Sequence, residues 1–208
     1  MTTAFAARFP RLFHVTERNA LASIKQLGLL SAAELVRRFG AGLGLAANRA
    51  CWTPIATPQG QAVLRRQGMP DRALASRLDP AIGVAAWRRF INDQVFLFAS
   101  EAEAWRLLRA EPGRDHVVLA VATADLAGAG IPLRFCRFNN GYIDRSPPDR
   151  RRLRGFGDYR PIADWRPGMP VREVTVVGSV PPSTPWACIP VPLDPPPPAC
   201  DTAPPRPG

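Results

Sequence analysis

Hydrophobic and polar positions alternate over residues 11–16 and then change to helical spacing. The alternation predicts a strand with His14 and Thr16 on one face. Apolar residues then recur every three or four positions up to Gly28, which predicts a compact helix over 16–28 that Thr16 caps. If the opposite strand face is core, His14 and Thr16 face a cleft. A half-buried histidine beside an ordinary helix cap explains the same pattern.

Later segments mix helical and strand patterns without regular alternation. A serine with glutamate three positions later predicts helices over 32–39 and after Ser100. The apolar run at 94–99 predicts a central strand. The remaining predicted elements are strands at 116–122, 131–138 and 171–180, and a helix entered at Asp79 with an apolar stripe on Ile82, Ala85, Ala86 and Phe90. Residues 51–67 are predicted to form a loop, with room for one short strand or helix near 62–65. Such a mixture predicts an α+β fold.

Proline dominates the chain beyond residue 180. A run of prolines favours an extended, solvated backbone that has few donors and little apolar surface for a core. The sequence therefore predicts one folded domain over 1–180 and a disordered tail over 181–208.

The chain carries a formal net charge of +10, and Lys25 is the only basic residue that is not arginine. Such a charge attracts anions, including dinucleotides and nucleic acid, although codon usage alone also produces an arginine-rich composition. Five arginines cluster in one segment punctuated by glycine and proline: Arg145, Arg150, Arg151, Arg152 and Arg154. This cluster predicts a mobile basic loop that suits a nucleic-acid partner.

Cysteine spacing and hydropathy exclude other classes. The four cysteines are widely scattered and only two histidines accompany them, so we expect no metal site. No stretch approaches the roughly 20 apolar residues of a membrane span. We therefore expect a cytoplasmic protein without a membrane partner.

A carboxylate stands near the start of the last predicted strand. Val174 and Val176 have the spacing of core residues, which places Glu173 and Thr175 on the opposite face. Glu173 is then either a solvent-facing residue of an edge strand or a cleft carboxylate that stabilises positive charge.

The order of these motifs resembles a known superfamily. The chain has His14-Val15-Thr16 before a helix, Val95 to Ser100 opening another helix, and Glu-Val-x-Val at 173–176 followed by Val180-Pro181. This order resembles the ADP-ribosyltransferase superfamily, especially its DarT-like branch, and is closest to uncharacterised bacterial proteins assigned there. The likeness covers most of the chain before the proline-rich segment.

The resemblance implies a split, bent antiparallel sheet with helices outside and NAD, as substrate, in the cleft. It implies NAD-dependent ADP-ribosyl transfer, in which the first-strand histidine contacts the adenosine ribose and the late glutamate engages the nicotinamide ribose. A fixed carboxylate there stabilises the oxocarbenium-like charge that develops as the nicotinamide bond breaks. Carried onto this sequence, the catalytic residue is Glu173, and the NAD-binding residues are His14, Thr16, Arg49, Asn92, Phe96, Phe98 and Asn139.

Departures from the superfamily pattern bear on the acceptor. Phenylalanine replaces the frequent second-motif tyrosine, which keeps the stacking surface but removes a hydroxyl. Val171 stands where transferases that modify arginine carry Glu or Gln, so nucleic acid is the more favoured acceptor. Two alternatives stay open: a catalytically silent nucleotide- or nucleic-acid-binding module on the same fold, and a hydrolase or phosphotransferase using His14, for which no nucleophile is evident.

Overall fold

Residues 2–40, 44, 48–139 and 152–190 are described by the computed structural model, and they form an α+β fold with antiparallel sheets. The strands are β1 (Arg11–Glu17), β2 (Leu29–Leu30), β3 (Thr53–Thr57), β4 (Gly60–Leu64), β5 (Gln94–Phe98), β6 (His116–Ala122), β7 (Leu133–Cys136), β8 (Arg160–Pro161), β9 (Glu173–Val177), β10 (Ser179–Val180) and β11 (Trp186–Ile189). The helices are α1 (Thr2–Arg8), α2 (Leu21–Leu27), α3 (Ala32–Phe39), α4 (Asp71–Ala75), α5 (Val84–Asn92), α6 (Glu101–Ala110) and α7 (Thr123–Gly128). The α+β prediction is confirmed.

Seven strands form the main sheet in the order β11-β6-β1-β5-β9-β7-β8, and each neighbouring pair is antiparallel. β1 pairs with β6 along its whole length. Within the described strands, β1 and β5 share the single residue pair Phe13 and Phe98. The middle of the sheet is thus weakly joined, and the candidate site lies at this junction.

Both faces of the sheet are covered. Leu12, Leu97 and Val174 pack on one face in the same buried cluster as Phe5 of α1. On the other face, Phe13 and Phe98 pack under α6, and a further cluster forms around α5. Because neighbouring side chains of a strand point to opposite faces, the nearly continuous apolar runs of the central strands fit this two-sided burial.

Local capping signals led to correct predictions. Helix α3 has the predicted bounds, and the Ser31 hydroxyl accepts a hydrogen bond from the Glu34 N–H at 3.1 Å. Ser100 caps α6 in the same way, through the Glu103 N–H at 3.4 Å. The strands predicted at 94–99 and 116–122 are confirmed as β5 and β6.

The helix predicted over 16–28 begins later than predicted, as α2, and Thr16 does not cap it. β1 extends through Thr16 to Glu17 because its backbone pairs with β6 up to that point. A short 3₁₀ turn, Arg18–Ala20, then leads into α2. Gly28 ends the helix with a φ of +80°, a conformation that favours glycine.

The segment 51–67, predicted as a loop with room for one short strand or helix near 62–65, contains the hairpin of β3 and β4. Pro54 obscured it, because proline weakens a strand pattern although an edge strand tolerates it. The predicted strands at 131–138 and 171–180 are shorter, as β7 and as β9 followed by β10, which pairs with β2.

Helix α5 differs from the prediction in both its start and its buried face. Asp79 accepts a hydrogen bond from the Ala81 N–H in a turn, and the helix begins only at Val84. Ala85 and Ala86 of the expected stripe are exposed. The buried residues are Trp87, Arg88, Ile91 and Asn92. Burial here includes two polar side chains, which an apolar periodicity could not indicate.

The predicted end of the folded domain at residue 180 is too early. β11 pairs antiparallel with β6, from Trp186 opposite Val121 to Ile189 opposite Val118, and forms one edge of the main sheet. Apolar residues between the prolines allow this pairing, whereas residues 191–208 of the predicted tail lie outside the described residues. Among the described helices, none has the length and hydrophobicity to cross a membrane.

Ending the chain after Pro185 is expected to lower its melting temperature, because β6 would lose the backbone partners of β11 and the Trp186 contact with the main core. Ending it after Pro190 should leave the melting temperature within a few degrees, because the remaining segment is dominated by proline. Thermal denaturation monitored by circular dichroism compares the two truncations. Equal melting temperatures would show that β11 does not stabilise the sheet.

Candidate functional site

A cleft of about 540 Å³ lies where β1 and β5 separate. Residues of both strands line it, together with the β3–β4 hairpin, the segment that follows β4, one face of α5 and the first residue of β9. Residues from both faces of β1 and β5 line the cleft. This is expected for a cleft that opens between two strands rather than above one face of the sheet.

His14 spans the junction of the two strands. Its Nδ1 is 2.9 Å from the Phe96 carbonyl oxygen on β5. Because a carbonyl can only accept, Nδ1 carries the proton, and the neutral ring then has Nε2 as an acceptor. Burial lowers the pKa of His14, which favours this neutral form at pH 7. Thr16 lines the cleft beside it, but Val15 and Glu17 line it as well, so the alternation alone does not select the cleft-facing residues.

The two phenylalanines of β5 both line the cleft. Phe98 is buried and lies opposite Phe13 of β1 and Glu173 of β9. Phe96 is half-buried, and the ring of Tyr159 meets it edge-on with 6.4 Å between centroids. Phe96 therefore presents more surface to a ligand than Phe98 does.

Glu173 is a buried cleft residue with 3 % of its surface exposed. Its interpretation as a solvent-facing residue of an edge strand is wrong, because β9 lies between β5 and β7. Phe98 and Cys136 stand opposite Glu173 on these two strands. Thr175, on the same face, is fully buried as well.

Ionisable groups around Glu173 respond to burial and to its charge. Burial, followed by the nearby Glu173 carboxylate, raises the pKa of Tyr159 well above its usual value. Burial likewise raises the pKa of Cys136 to about 12. Tyr159 and Cys136 are therefore neutral at pH 7, and the charged group that faces Glu173 is an arginine side chain. Arg154 is the buried cation of this region, with 5 % of its surface exposed.

Arg154, predicted to belong to a mobile basic loop, is instead a buried residue of the cleft. Its side chain lines the cleft and lies over the Phe138 ring at 5.1 Å. Burial lowers the pKa of Arg154, and the nearby Glu173 carboxylate acts in the opposite direction. Arg152 pairs with Asp158 at 2.8 Å and is exposed. The other predicted loop residues, Arg145, Arg150 and Arg151, lie outside the described residues.

Arg49 and Asn92, both predicted as binding residues, contact each other at the cleft. Arg49 Nη2 donates to Asn92 Oδ1 at 2.8 Å, and Arg49 Nε donates to the Arg65 carbonyl at 3.3 Å. Burial, and then the charge of Arg88, lowers the pKa of Arg49. Asn139, the remaining predicted binding residue, also lines the cleft.

Sequence reasoning missed several cleft residues. Arg88 and Gln67 form hydrogen bonds there although neither was singled out as a binding residue. His116 also lines the cleft, with 6 % of its surface exposed and its ring centroid 5.6 Å from that of Trp52. Arg88 interrupts a helical stripe and His116 begins an apolar strand, so neither pattern carried a signal of function.

The fold and the cleft define an α+β protein whose central antiparallel sheet separates at a large cleft lined by apolar and charged side chains. Residues 10–185 match a family of unknown function, DUF7002, and the chain belongs to this family. The match ends just before β11 and covers the other six strands of the main sheet. No curated protein matches the sequence.

Proposed function

We propose that this protein is a NAD-dependent ADP-ribosyltransferase, which breaks the bond between nicotinamide and ribose and passes ADP-ribose to an acceptor. The observation that carries the proposal is the adjacency of β1, β5 and β9. Motifs distant in sequence thereby supply His14, Phe96 and Glu173 to one cleft. The order of these motifs is the one that resembles the ADP-ribosyltransferase superfamily, and the weak joining of β1 to β5 suits its split sheet.

Glu173 is the proposed catalytic residue. As the nicotinamide leaves, positive charge develops on the ribose, and a carboxylate held beside it stabilises the transition state more than the substrate. Glycosidases use carboxylates against a similar oxocarbenium-like charge. Burial of Glu173 in β9 supports the role, because a fixed carboxylate in a low-dielectric site interacts more strongly than a solvated one.

The remaining cleft residues suit the other parts of NAD. The Nε2 acceptor of neutral His14 suits a ribose hydroxyl, and the half-buried Phe96 ring suits stacking on nicotinamide. Arg49 supplies a cation for the phosphates. For the acceptor we propose nucleic acid, which the net charge of +10 and the half-exposed Arg65 and Arg66 beside the cleft favour.

His14→Ala is expected to weaken NAD binding about tenfold, the usual effect of losing a hydrogen bond to a buried or partly buried polar ligand group. Isothermal titration calorimetry measures this loss, with thermal melts to confirm folding. Nicotinamide mononucleotide is the matched probe: it lacks the adenosine ribose, so its affinity should not change. Unchanged NAD affinity in the variant would remove His14 from the binding site.

A further inference from the structure

One guanidinium in the cleft is positioned without a counter-charge. Two donors of Arg49 are used by Asn92 and by the Arg65 carbonyl, while Nη1 is buried and has no hydrogen-bond partner among the described residues. The described ion pairs include no carboxylate for Arg49 either. A half-buried cation whose spare donor atom is buried favours an anionic ligand.

Asn92, which accepts a hydrogen bond from Arg49, is fixed by a further hydrogen bond. Asn92 is 3 % exposed, and its Oδ1 accepts a second hydrogen bond, from Gln67 Nε2 at 3.1 Å. The Gln67 N–H also donates to the Arg49 carbonyl at 2.7 Å. Gln67 therefore contacts both the backbone of Arg49 and the side chain that orients its guanidinium.

Arg88 holds the Gln67 side chain in this position. It lies one helical turn before Asn92 on α5 and is 3 % exposed. Its Nη1 donates to Gln67 Oε1 at 3.3 Å, which orients the Gln67 amide so that its NH₂ faces Asn92. Its Nη2 donates to Asp71 Oδ1 at 2.5 Å and to the Met69 carbonyl at 2.9 Å. The hydrogen bonds thus run continuously from Asp71 to Arg49.

Of the two arginines joined by these hydrogen bonds, only Arg88 has a carboxylate partner among the described ion pairs. Asp71 compensates the charge of Arg88 through their ion pair. Arg49 has no carboxylate partner among the described ion pairs, and the positive charge of Arg88 further lowers its pKa. Positive charge therefore accumulates at the Arg49 end, where the cleft is open to a ligand.

We propose that Arg88 and Gln67 are positioning residues, which act through Asn92 to hold the Arg49 guanidinium toward the diphosphate of a dinucleotide. This inference rests on the proposed function, because it takes the anion to be the diphosphate of NAD. It assigns Asn92 to orientation of Arg49 rather than to recognition of the ligand.

A double-mutant cycle with ADP-ribose tests this role, since ADP-ribose carries the diphosphate but cannot react at the nicotinamide bond. Calorimetry compares the wild type with Arg49→Gln, Arg88→Met and the double variant. Each single variant is expected to bind about tenfold more weakly, as for loss of a charge-assisted hydrogen bond. The double variant should bind within about twofold of Arg49→Gln, because Arg88 acts through Arg49. Both single variants should also reduce the salt dependence of binding.

Arg89→Met is the control, because Arg89 is the exposed neighbour on the same helix, and its affinity should equal that of the wild type. Gln67→Leu interrupts the same series of hydrogen bonds between Arg88 and Asn92. It tests the positioning role if Arg88→Met does not fold. Affinity of Arg88→Met and Gln67→Leu within twofold of the wild type would overturn the inference. Losses that multiply in the double variant would also overturn it, since Arg88 would then contact the ligand independently.

Failure of the proposed function gives a different result. If the wild type does not bind ADP-ribose, the dinucleotide assignment and the positioning role are both wrong. If the wild type binds ADP-ribose and releases nicotinamide from NAD, but the cycle shows no coupling, the positioning role alone is wrong.

Discussion

Replacing Glu173 by glutamine is expected to lower nicotinamide release from NAD by about a hundredfold or more, the effect of removing one preorganised charge-stabilising group. Glutamine keeps the size and shape of the side chain but cannot stabilise an oxocarbenium-like charge as a carboxylate does. The volume is conserved, but the buried Arg154 loses the neighbouring Glu173 charge, so we expect the free energy of unfolding to fall by up to about 3 kcal/mol. Release is measured by chromatography and stability by urea denaturation.

Glu103→Gln is the matched control. Glu103 of α6 is also buried, with 8 % of its surface exposed, but it does not line the cleft, and its carboxylate pairs with Arg106 and Arg172. This variant should release nicotinamide at the wild-type rate. Wild-type activity in Glu173→Gln would contradict the mechanism, because Glu173 would then be a structural residue of the sheet.

Gly28→Ala is expected to destabilise the protein by at least about 2 kcal/mol, through strain at a special backbone position and a steric conflict. The φ of Gly28 is +80°, and a Cβ added there would lie 2.0 Å from the Val180 carbonyl oxygen. Val180 belongs to β10, which pairs with β2 immediately after Gly28. The substitution therefore separates two strands next to the cleft wall. Urea denaturation measures the loss.

Gly113→Ala separates the two causes. Gly113 has a similar φ of +84°, but an added Cβ would meet no atom within 4 Å. Only backbone strain applies there, so we expect a loss of about 1 kcal/mol or less. Equal losses at the two glycines would show that the close approach to Val180 does not constrain Gly28.

Much of the fold was predictable because its signals are local. Ser31 and Ser100 cap their helices through neighbouring N–H groups, and the apolar run of β5 defines a buried strand wherever it pairs. Pro54 obscured β3, so at most one short element near 62–65 was expected where the β3–β4 hairpin lies. β11 was missed because it lies among prolines and pairs with the distant β6.

The candidate site was only partly predictable, because its composition depends on strand order. Alternation placed His14 and Thr16 on one strand face, but no local pattern indicates that β5 separates β1 from β9. The burial of Glu173 follows from that order. Arg88 was missed because its partners Gln67 and Asp71 come from a segment that crosses α5 only in the folded chain.

The central claim is that this chain breaks the bond between nicotinamide and ribose. The most direct test incubates the full-length protein with NAD labelled in its nicotinamide ring, alone and with single-stranded DNA, double-stranded DNA or RNA, and follows the release of free label. The account predicts catalytic release that Glu173→Gln loses, together with transfer of ADP-ribose to a nucleic acid. If the protein binds NAD but releases no nicotinamide in all four conditions, the account is contradicted. The protein is then a silent nucleotide-binding module.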